Sequence, residues 1–501
     1  MDTQVARNAR LTALQILTSA AVLFLLYRFL VRAIGIEAIG VWSVVLATTS
    51  VSRLADLGVS GSTTRFVARA LAQGSHPTAT DYAQTAVLLA AGLYLVLAFV
   101  AYPILKQVLH VVVPNTHLQE ARALLPFALV SFWMASVTTV LQGTIDGTHR
   151  IDLKSYVIIL GSLFYLGSVL LLVPRSGLMG LAYAQVLQSV TLLVASWLLL
   201  RKCLAGLPPI PSRWDPKAFR EIIGFGTQLQ VIGLTVVLSD PVTKSFLSRF
   251  GGLSAVGYYE MASRMVQQVR GLLVNVNQVL VPTIADLQHR DVGGVAKVYA
   301  DSYSVMAYLS LPLFSGLIAL IPLISEWWIG RYEPTFVSFA VLLACAWLTN
   351  ILSAPAYFAG VGTGRLKWNF MGHVVQAASN VVLGGLLGWT LGGLGVVVGA
   401  AIAVAAGSLV TILGYHAAQG GEFTALLTRD AAELGAGCLA ISIAAIATYY
   451  ILRLQGHASL GTATILAVMM VIPTLFWLTW RHPLRTRLVR WALSSADRTG
   501  S

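Results

Sequence analysis

Charged residues are scarce in this chain. Asp, Glu, Lys and Arg make up 11% of its 501 residues, whereas hydrophobic residues make up 57%. A soluble globular protein carries about 25% charged residues, so this composition excludes a soluble domain and predicts a membrane protein. Lipid admits only helices and closed barrels. The apolar runs here are long and continuous, which favours helices over a barrel.

Cysteine is also rare in this chain, and the sequence contains no recognisable pattern of catalytic residues. The three cysteines, Cys203, Cys345 and Cys438, lack the spacing of a metal site or a disulfide. No His and carboxylate cluster, nucleophile elbow or nucleotide-binding loop appears. We therefore expect no enzymatic activity and no cofactor. The energy source is left open among an ion gradient, with Na⁺ or H⁺ as the coupling ion, the membrane potential and consumption of the product.

The apolar runs predict an all-α polytopic membrane protein with about 14 transmembrane helices, each of roughly the 20 residues that one crossing needs. The predicted spans are residues 11–31, 39–57, 86–105, 123–141, 153–173, 178–200, 224–248, 255–280, 302–324, 336–358, 370–389, 393–415, 432–452 and 462–480.

The chain repeats itself. The pattern that contains Gly35 and Gly40 returns 217 positions later around Gly252 and Gly257. A second pattern returns 215 positions later. Its first copy is Gly147, Thr148, Arg150, Gly177 and Gly180, and its second copy is Gly362, Thr363, Arg365, Gly392 and Gly395. About six spans separate equivalent positions, so the copies share one orientation, and a cavity between such lobes is where transporters hold substrate.

The duplication sets the predicted domain boundaries. Residues 1–212 form the first six-helix lobe and residues 213–420 form the second. Residues 421–501 hold two extra helices and a basic cytoplasmic tail, which is expected to lie on anionic membrane lipids.

The net charge of +13 follows membrane topology and does not indicate nucleic acid. With the N-terminus in the cytoplasm, the predicted cytoplasmic segments carry about 22 Lys and Arg, against about 9 outside. Both termini are therefore predicted to be cytoplasmic.

Three stretches carry a family resemblance. The sequence from Ala33 to Trp42, with Asp56, Leu57 and Gly58, resembles the opening of bacterial polysaccharide flippases of the Wzx type. The second copy adds similar patterns, which are Asp240, Gly257-Tyr258-Tyr259 with Ala262 and Arg264, and Val281-Pro282-Thr283-Ile284-Ala285. The resemblance extends to the superfamily of multidrug, oligosaccharidyl-lipid and polysaccharide exporters.

The resemblance implies a flippase in the bacterial inner membrane that serves lipopolysaccharide or exopolysaccharide synthesis. It would move an undecaprenyl pyrophosphate-linked oligosaccharide from the cytoplasmic to the outer leaflet by alternating access, beside a polysaccharide polymerase and assembly proteins. A lipid II flippase and a cation-coupled multidrug exporter stay as alternatives. A membrane-embedded glycosyltransferase would need a large outer loop with catalytic carboxylates, which the sequence lacks.

The repeat singles out two arginines. Arg53 and Arg270 occupy equivalent positions on spans two and eight, and a guanidinium matches the oxygens of a pyrophosphate. Snorkelling to the surface, or pairing of Arg53 with Asp56, is the alternative. Arg28, near the outer end of span one, is a further cavity candidate, and Lys244 is a candidate for gating.

Intramembrane carboxylates are the candidates for coupling or gating. Asp240 precedes Pro241 inside span seven, where proline breaks a backbone hydrogen bond and the carboxylate could bind a cation or proton. The alternative is an ion pair with Lys244 one turn on. Glu260 and Asp56 are further candidates.

Three polar residues of span eleven share one helix face. His373, Gln376 and Asn380 follow a spacing of three and four residues, which could present hydrogen-bonding groups to sugar hydroxyls. Residues of this kind also join helices to each other.

Overall fold

The structure is a computed structural model that describes residues 2–50, 58–148, 150–204, 206–277, 284, 292–418, 429–454 and 460–485. Across these ranges the chain is helical, with short turns and no strand. The helices are α1 Asp2–Ala33, α2 Gly35–Ser50, α3 Val59–Ala72, α4 His76–Val112, α5 Asn115–Gly147, α6 Ile151–Cys203, α7 Pro216–Phe250, α8 Gly252–Asn277, α9 Val292–Ile329, α10 Pro334–Gly362, α11 Lys367–Ala418, α12 Arg429–Leu454 and α13 Leu460–Arg481.

The all-α polytopic fold is confirmed. Eight of the described helices are long and apolar enough to cross a membrane. Large apolar side chains, such as Phe99 and Trp389, are about three-quarters exposed on these helices, as expected where lipid replaces water as the solvent. Each of the fourteen predicted spans overlaps a helix, with α2 and α3 on either side of residues 51–57.

Two helices are long enough to cross twice. At 1.5 Å per residue, the 53 residues of α6 and the 52 of α11 would each extend about 80 Å if straight. Each breaks at one glycine, Gly177 with φ 55° and ψ −133° and Gly392 with φ 63° and ψ −147°. That region of backbone conformation is almost closed to other residues. The breaks fall where the sequence predicts the turns between spans five and six and between spans eleven and twelve.

The chain forms two compact units, Met1–Gly257 and Tyr258–Ser501. In the first unit α3 packs against α4 and α5, and α7 packs on α2, α3 and α4. Its core includes Phe66, Ala83 and Ile145. The predicted boundaries after residues 212 and 420 stay a prediction.

The segment between α6 and α7 is held on the first unit by its backbone. The side-chain oxygen of Gln84 accepts hydrogen bonds from the amides of Ser212 and Arg213, each at 3.2 Å. The Thr85 hydroxyl accepts another from the amide of Asp215 at 3.1 Å. The Asp215 carboxylate in turn caps α7. The polar N-terminal part of α4 therefore satisfies the backbone donors of this segment.

In the second unit α10 packs against α9 and α11, while α12 and α13 pack on α9. The contact between α9 and α12 is polar, because the Ser315 hydroxyl donates to the carbonyl of Cys438 at 2.7 Å and lies 2.9 Å from the Ser442 hydroxyl. Small residues therefore join α12 to α9 within the second unit.

Candidate functional site

The guanidinium of Arg270 lies at the centre of a polar cluster in the second unit. Its Nε donates to the side-chain oxygen of Asn350 at 3.0 Å. Its Cζ lies 4.7 Å from the centroid of the Trp347 ring. Trp347 and Asn350 are three residues apart on α10, so their side chains share one helix face. The two contacts orient the arginine from one side.

A second hydrogen bond fixes Asn350 itself. Its amide nitrogen donates to the hydroxyl of Ser408, on the second half of α11, at 3.2 Å. The orientation of Arg270 therefore depends on two neighbouring helices, and the helix that carries the arginine is a third. Such preorganisation lowers the entropy that a ligand must lose when it is bound.

None of the ion pairs among the described residues includes Arg270. Its described partners are an amide oxygen and an aromatic ring, both neutral. If α8 crosses the membrane as the sequence predicts, its permanent positive charge is costly, and an anion would offset that cost. The arrangement therefore favours a negatively charged ligand over a cation.

The structure places His373 near this arginine. His373 lies on the first half of α11, and its ring meets the Tyr357 ring edge-on with 5.9 Å between centroids. The imidazole is close enough for the charge of Arg270 to act on it. A shared ligand site for Arg270 and His373 stays a prediction.

Gln376 and Asn380 pack inside the same bent helix. Gln376 lies against Gly407 of the second half of α11, where a Cβ at Gly407 would come within 2.7 Å of the Gln376 Cβ. Asn380 is 4% exposed. Contact of these two residues with a ligand stays a prediction.

Two of the three candidate coupling carboxylates each form an ion pair with a basic residue one helical turn away. Asp240 lies 2.7 Å from Lys244 on α7, and Glu260 lies 2.8 Å from Arg264 on α8. The burial is opposite in the two pairs, since Lys244 is the buried partner in one and Glu260 in the other. The ion pair that the sequence suggested for Asp240 is therefore present, and its role in coupling stays a prediction.

Of the remaining candidates, the structure describes only Arg28, which lies in the first unit. Arg28 is half-buried on α1, and no described residue forms an ion pair with it. Arg53 and Asp56 lie outside the described residues. The described part of the chain contains no group of three or more His, Cys, Asp or Glu side chains that could hold a metal ion.

Sequence reasoning missed Trp347, Asn350 and Ser408. The repeat carries a signal that could have found them, since the first copy has Phe132, Ala135 and Leu193 at the equivalent positions. Both polar groups that position Arg270 are thus replaced by apolar residues in the first copy. A polar residue that is present in only one of two duplicated helices is not required for the shared fold. It is therefore a candidate for ligand binding or for positioning a ligand-binding residue.

Comparison with solved structures identifies the fold. The chain is similar to an inward-facing multidrug resistance MATE family transporter of the MOP superfamily, with 14% identity, a TM-score of 0.68, and coverage of 80% of this chain and 94% of that chain. It is also similar to the lipid II flippase MurJ in an inward closed conformation, with 11% identity, a TM-score of 0.70, and coverage of 94% and 97%. The fold is that of the MOP superfamily of transporters and flippases.

A third match is a MOP superfamily transporter from Pyrococcus furiosus, with 14% identity, a TM-score of 0.58, and coverage of 81% of this chain and 95% of that chain. No curated protein sequence matches the chain. The family model described as polysaccharide biosynthesis protein matches residues 5–288. Since that is more than half of its length, the chain belongs to the polysaccharide biosynthesis protein family.

Proposed function

We propose that this protein is a flippase that moves an undecaprenyl pyrophosphate-linked oligosaccharide from the cytoplasmic to the outer leaflet of the bacterial inner membrane. Family membership supports a role in polysaccharide synthesis. The observation that carries the proposal is the Arg270 guanidinium, held by Asn350 and Trp347 with no carboxylate among its described partners. A pyrophosphate would supply the missing negative charge.

The proposed mechanism is alternating access between two lobes, with both termini in the cytoplasm. Arg270 binds the pyrophosphate, and Arg53 from the first copy and Arg28 add positive charge to the same cavity. His373, Gln376 and Asn380 contribute hydrogen bonds to the first sugars. The isoprenoid tail stays in the bilayer because removing it from lipid would cost about 0.8 kcal/mol for every CH₂ group exposed to water.

The protein needs no catalytic step and no resident cofactor for this function. Asp240 with Lys244, and Glu260 with Arg264, are the proposed coupling pairs, and a Na⁺ ion or a proton would compete with the basic partner for the carboxylate. Asp56 is a further gating candidate. The proposed partners are the lipid-linked glycan, membrane lipids, and a polymerase with its assembly proteins.

The decisive experiment is a flipping assay in proteoliposomes with undecaprenyl pyrophosphate-linked glycan. Arg270→Gln removes the charge and should lower the initial rate at least tenfold, because one charged hydrogen bond in a dry site is worth about 1.5–3 kcal/mol. Arg53→Gln should have a comparable effect. Unchanged rates in both variants would contradict the proposal.

A matched control variant is Arg453→Gln at the end of α12. Its guanidinium also stacks on an aromatic ring, 4.2 Å from the centroid of Tyr332, so it loses the same kind of contact outside the proposed site. It should transport at the wild-type rate. A low rate in this control would show that loss of any stacked arginine is damaging.

A lipid II flippase is the second candidate, and one observation favours it over a drug exporter. The lipid II flippase structure covers 94% of this chain, whereas the MATE transporter structure covers 80%. The charge of Arg270, which has no carboxylate among its described partners, also repels a cationic drug. Competition by lipid II, by the glycolipid and by a hydrophobic cation in the same assay separates the three cargoes.

A further inference from the structure

The segment between α6 and α7, residues 206–215, exposes two large apolar side chains. Ile210 is 75% exposed and Trp214 is 45% exposed. Both belong to a connection that follows one predicted span and precedes the next, so they lie where helices leave the bilayer. Tryptophan is enriched at that level of a membrane because its ring is amphipathic. The exposed surface of this segment therefore suits lipid better than water.

The first unit holds this segment in one orientation. Leu207 is buried in the core of that unit. The indole nitrogen of Trp197 donates to the carbonyl of Pro209 at 2.8 Å, and the Arg213 guanidinium lies 3.3 Å from the Asp81 carboxylate. Together with the three amide hydrogen bonds to α4, these contacts fix the backbone on both sides of the exposed apolar residues. A surface that is already ordered loses little entropy when it binds.

Proline gives the middle of the segment a backbone with few hydrogen-bond donors. Pro208, Pro209 and Pro211 have no N–H group, and the carbonyl of Pro209 already accepts the bond from α6. An N–H group that leaves water without a new partner costs free energy. Between residues 208 and 211 only Ile210 carries one. This stretch can therefore enter the boundary between headgroups and acyl chains at low cost.

Basic side chains flank the apolar ones. Lys202, Lys217 and Arg220 are exposed, and none of the ion pairs among the described residues includes them. The neighbouring carboxylates are engaged, since Asp215 accepts from the amide of Lys217 at 2.9 Å and Glu221 accepts from a tyrosine hydroxyl of α4. The segment thus presents a positive surface around its apolar side chains, which matches the negative charge of an anionic leaflet.

We propose that residues 206–215 form a membrane anchor. Ile210 and Trp214 enter the leaflet at which α6 ends, and the flanking basic residues bind the headgroups of anionic phospholipids there. With both termini in the cytoplasm, this is the cytoplasmic leaflet. The anchor holds the base of α7 at one depth in the bilayer, because Asp215 caps that helix. The inference needs only a membrane protein and goes beyond the proposed transport of a cargo.

A quenching experiment tests the depth of the segment. In a background with Cys203→Ser, Cys345→Ser and Cys438→Ala, Ile210→Cys is labelled with an environment-sensitive fluorophore and reconstituted into vesicles of phosphatidylcholine and phosphatidylglycerol. Lipid with a nitroxide on the acyl chain just below the headgroup should lower the fluorescence at least twofold, because quenching requires near contact. No quenching at position 210 would place the segment in water and overturn the proposal.

The turn between α3 and α4 offers a matched control. Gln73 is exposed in this turn. The turn leads into α4, whose N-terminal part holds residues 206–215, so both lie at one end of the first unit. With Gln73→Cys in place of Ile210→Cys, the nitroxide lipid should change the fluorescence by less than a tenth. Equal quenching at the two positions would overturn the proposal, because the polar turn would then lie as deep as the anchor.

The role of charge is tested with the lipid headgroup as the variable. A small amount of nitroxide lipid is added as phosphatidylglycerol in one sample and as phosphatidylcholine in the other. Phosphatidylglycerol should quench the Ile210→Cys label at least twice as strongly, and Lys217→Gln with Arg220→Gln should make the two lipids nearly equal. Equal quenching before these two changes, or an unchanged ratio after them, would overturn the binding of anionic headgroups. Neither measurement uses the cargo, so failure to flip glycolipid would overturn the proposed function and leave the anchor standing.

Discussion

The two bent helices α6 and α11 share a backbone bend at equivalent glycines and differ in side-chain chemistry. Their breaks at Gly177 and Gly392 have nearly equal angles, with φ 55° and 63° and ψ −133° and −147°. Beyond each break a glycine, Gly180 or Gly395, packs against the carbonyl of an equivalent residue, Leu172 or Leu387. The duplication has kept the bend at both places. Residues that determine backbone geometry are therefore constrained in both copies.

The side chains on the same helices have diverged. The positions of His373, Gln376 and Asn380 in α11 correspond to Ile158, Gly161 and Tyr165 in α6. The positions around Arg270 show the same trend, with polar groups only in the second copy. The glycines that form the bend are therefore present in both copies, because each copy requires the bend for its fold. The polar face is present only in the second copy, as expected if it serves the proposed ligand.

The largest expected effect comes from a pair of packed residues in which the large and the small residue have exchanged positions between the two copies. Gly161 packs against Leu192 in the first copy, and the equivalent pair in the second copy is Gln376 with Gly407. Gly407→Leu alone should destabilise the protein by about 3 kcal/mol through overpacking. Adding Gln376→Gly should restore part of that loss, since it removes the contact with the Gln376 Cβ at 2.7 Å but leaves the carbonyl oxygen of Gly372 at 2.5 Å from the same Cβ position.

The measurement for this pair is a double-mutant cycle on thermal unfolding in detergent, combined with the flipping assay. The double variant should be more stable than Gly407→Leu and slow in transport, because it lacks the Gln376 amide. Additive effects of Gly407→Leu and Gln376→Gly on stability would show that residues 376 and 407 do not depend on each other in packing. Full transport by the double variant would remove Gln376 from the binding site.

The next effect tests whether the bends are equivalent. Gly395→Ala and Gly180→Ala each place a methyl group against a backbone carbonyl, and each should cost about 2 kcal/mol. Gly167→Ala in α6 is the control, because nothing lies within 4 Å of its Cβ position. That change should stabilise the helix by about 0.5–1 kcal/mol. If the stability losses of Gly395→Ala and Gly180→Ala differ strongly in the same thermal unfolding assay, the two bends are not equivalent.

A smaller effect comes from making the second copy resemble the first at one polar position. Asn350→Ala introduces the residue found at Ala135 and removes the hydrogen bonds to Arg270 and Ser408. It should cost about 1.5 kcal/mol of stability, measured by thermal unfolding, and should lower the flipping rate. Asn350→Asp is the sharper test, since a carboxylate would pair with Arg270 and compete with the anionic cargo. Wild-type transport by Asn350→Asp would contradict the proposed role of the arginine.

The smallest effect concerns the turns before the bent helices. Lys154 forms an ion pair with Asp146 at 2.6 Å, whereas the equivalent Asn369 donates to the carbonyl of Tyr357 at 2.9 Å and is 1% exposed. Lys154→Met should cost about 0.5 kcal/mol, and less in high salt. Asn369→Ala should cost about 1 kcal/mol at any salt concentration. If the stability losses of Lys154→Met and Asn369→Ala depend equally on salt, the first turn is not held by an ion pair and the second by a neutral hydrogen bond.

Particular residues show how far the sequence predicts the site. Arg270 and His373 stand out because a charge and a polar spacing are unusual in apolar helices. Asn350 and Ser408 do not, since a single amide or hydroxyl in a membrane helix is common and its partner depends on packing. The ion pair of Asp240 with Lys244 is one of the alternatives that the sequence offers, because their spacing of four brings them together over one helical turn.

The sequence by itself determined the membrane environment, the helices and the duplication. Hydropathy and glycine spacing are local properties, and lipid leaves few other solutions for an apolar chain. Only the tertiary structure decided that the segment between α6 and α7 is fixed on α4, and that Arg270 is held by neutral groups. Both results depend on distances between segments that lie far apart along the chain, which packing controls and no local pattern records.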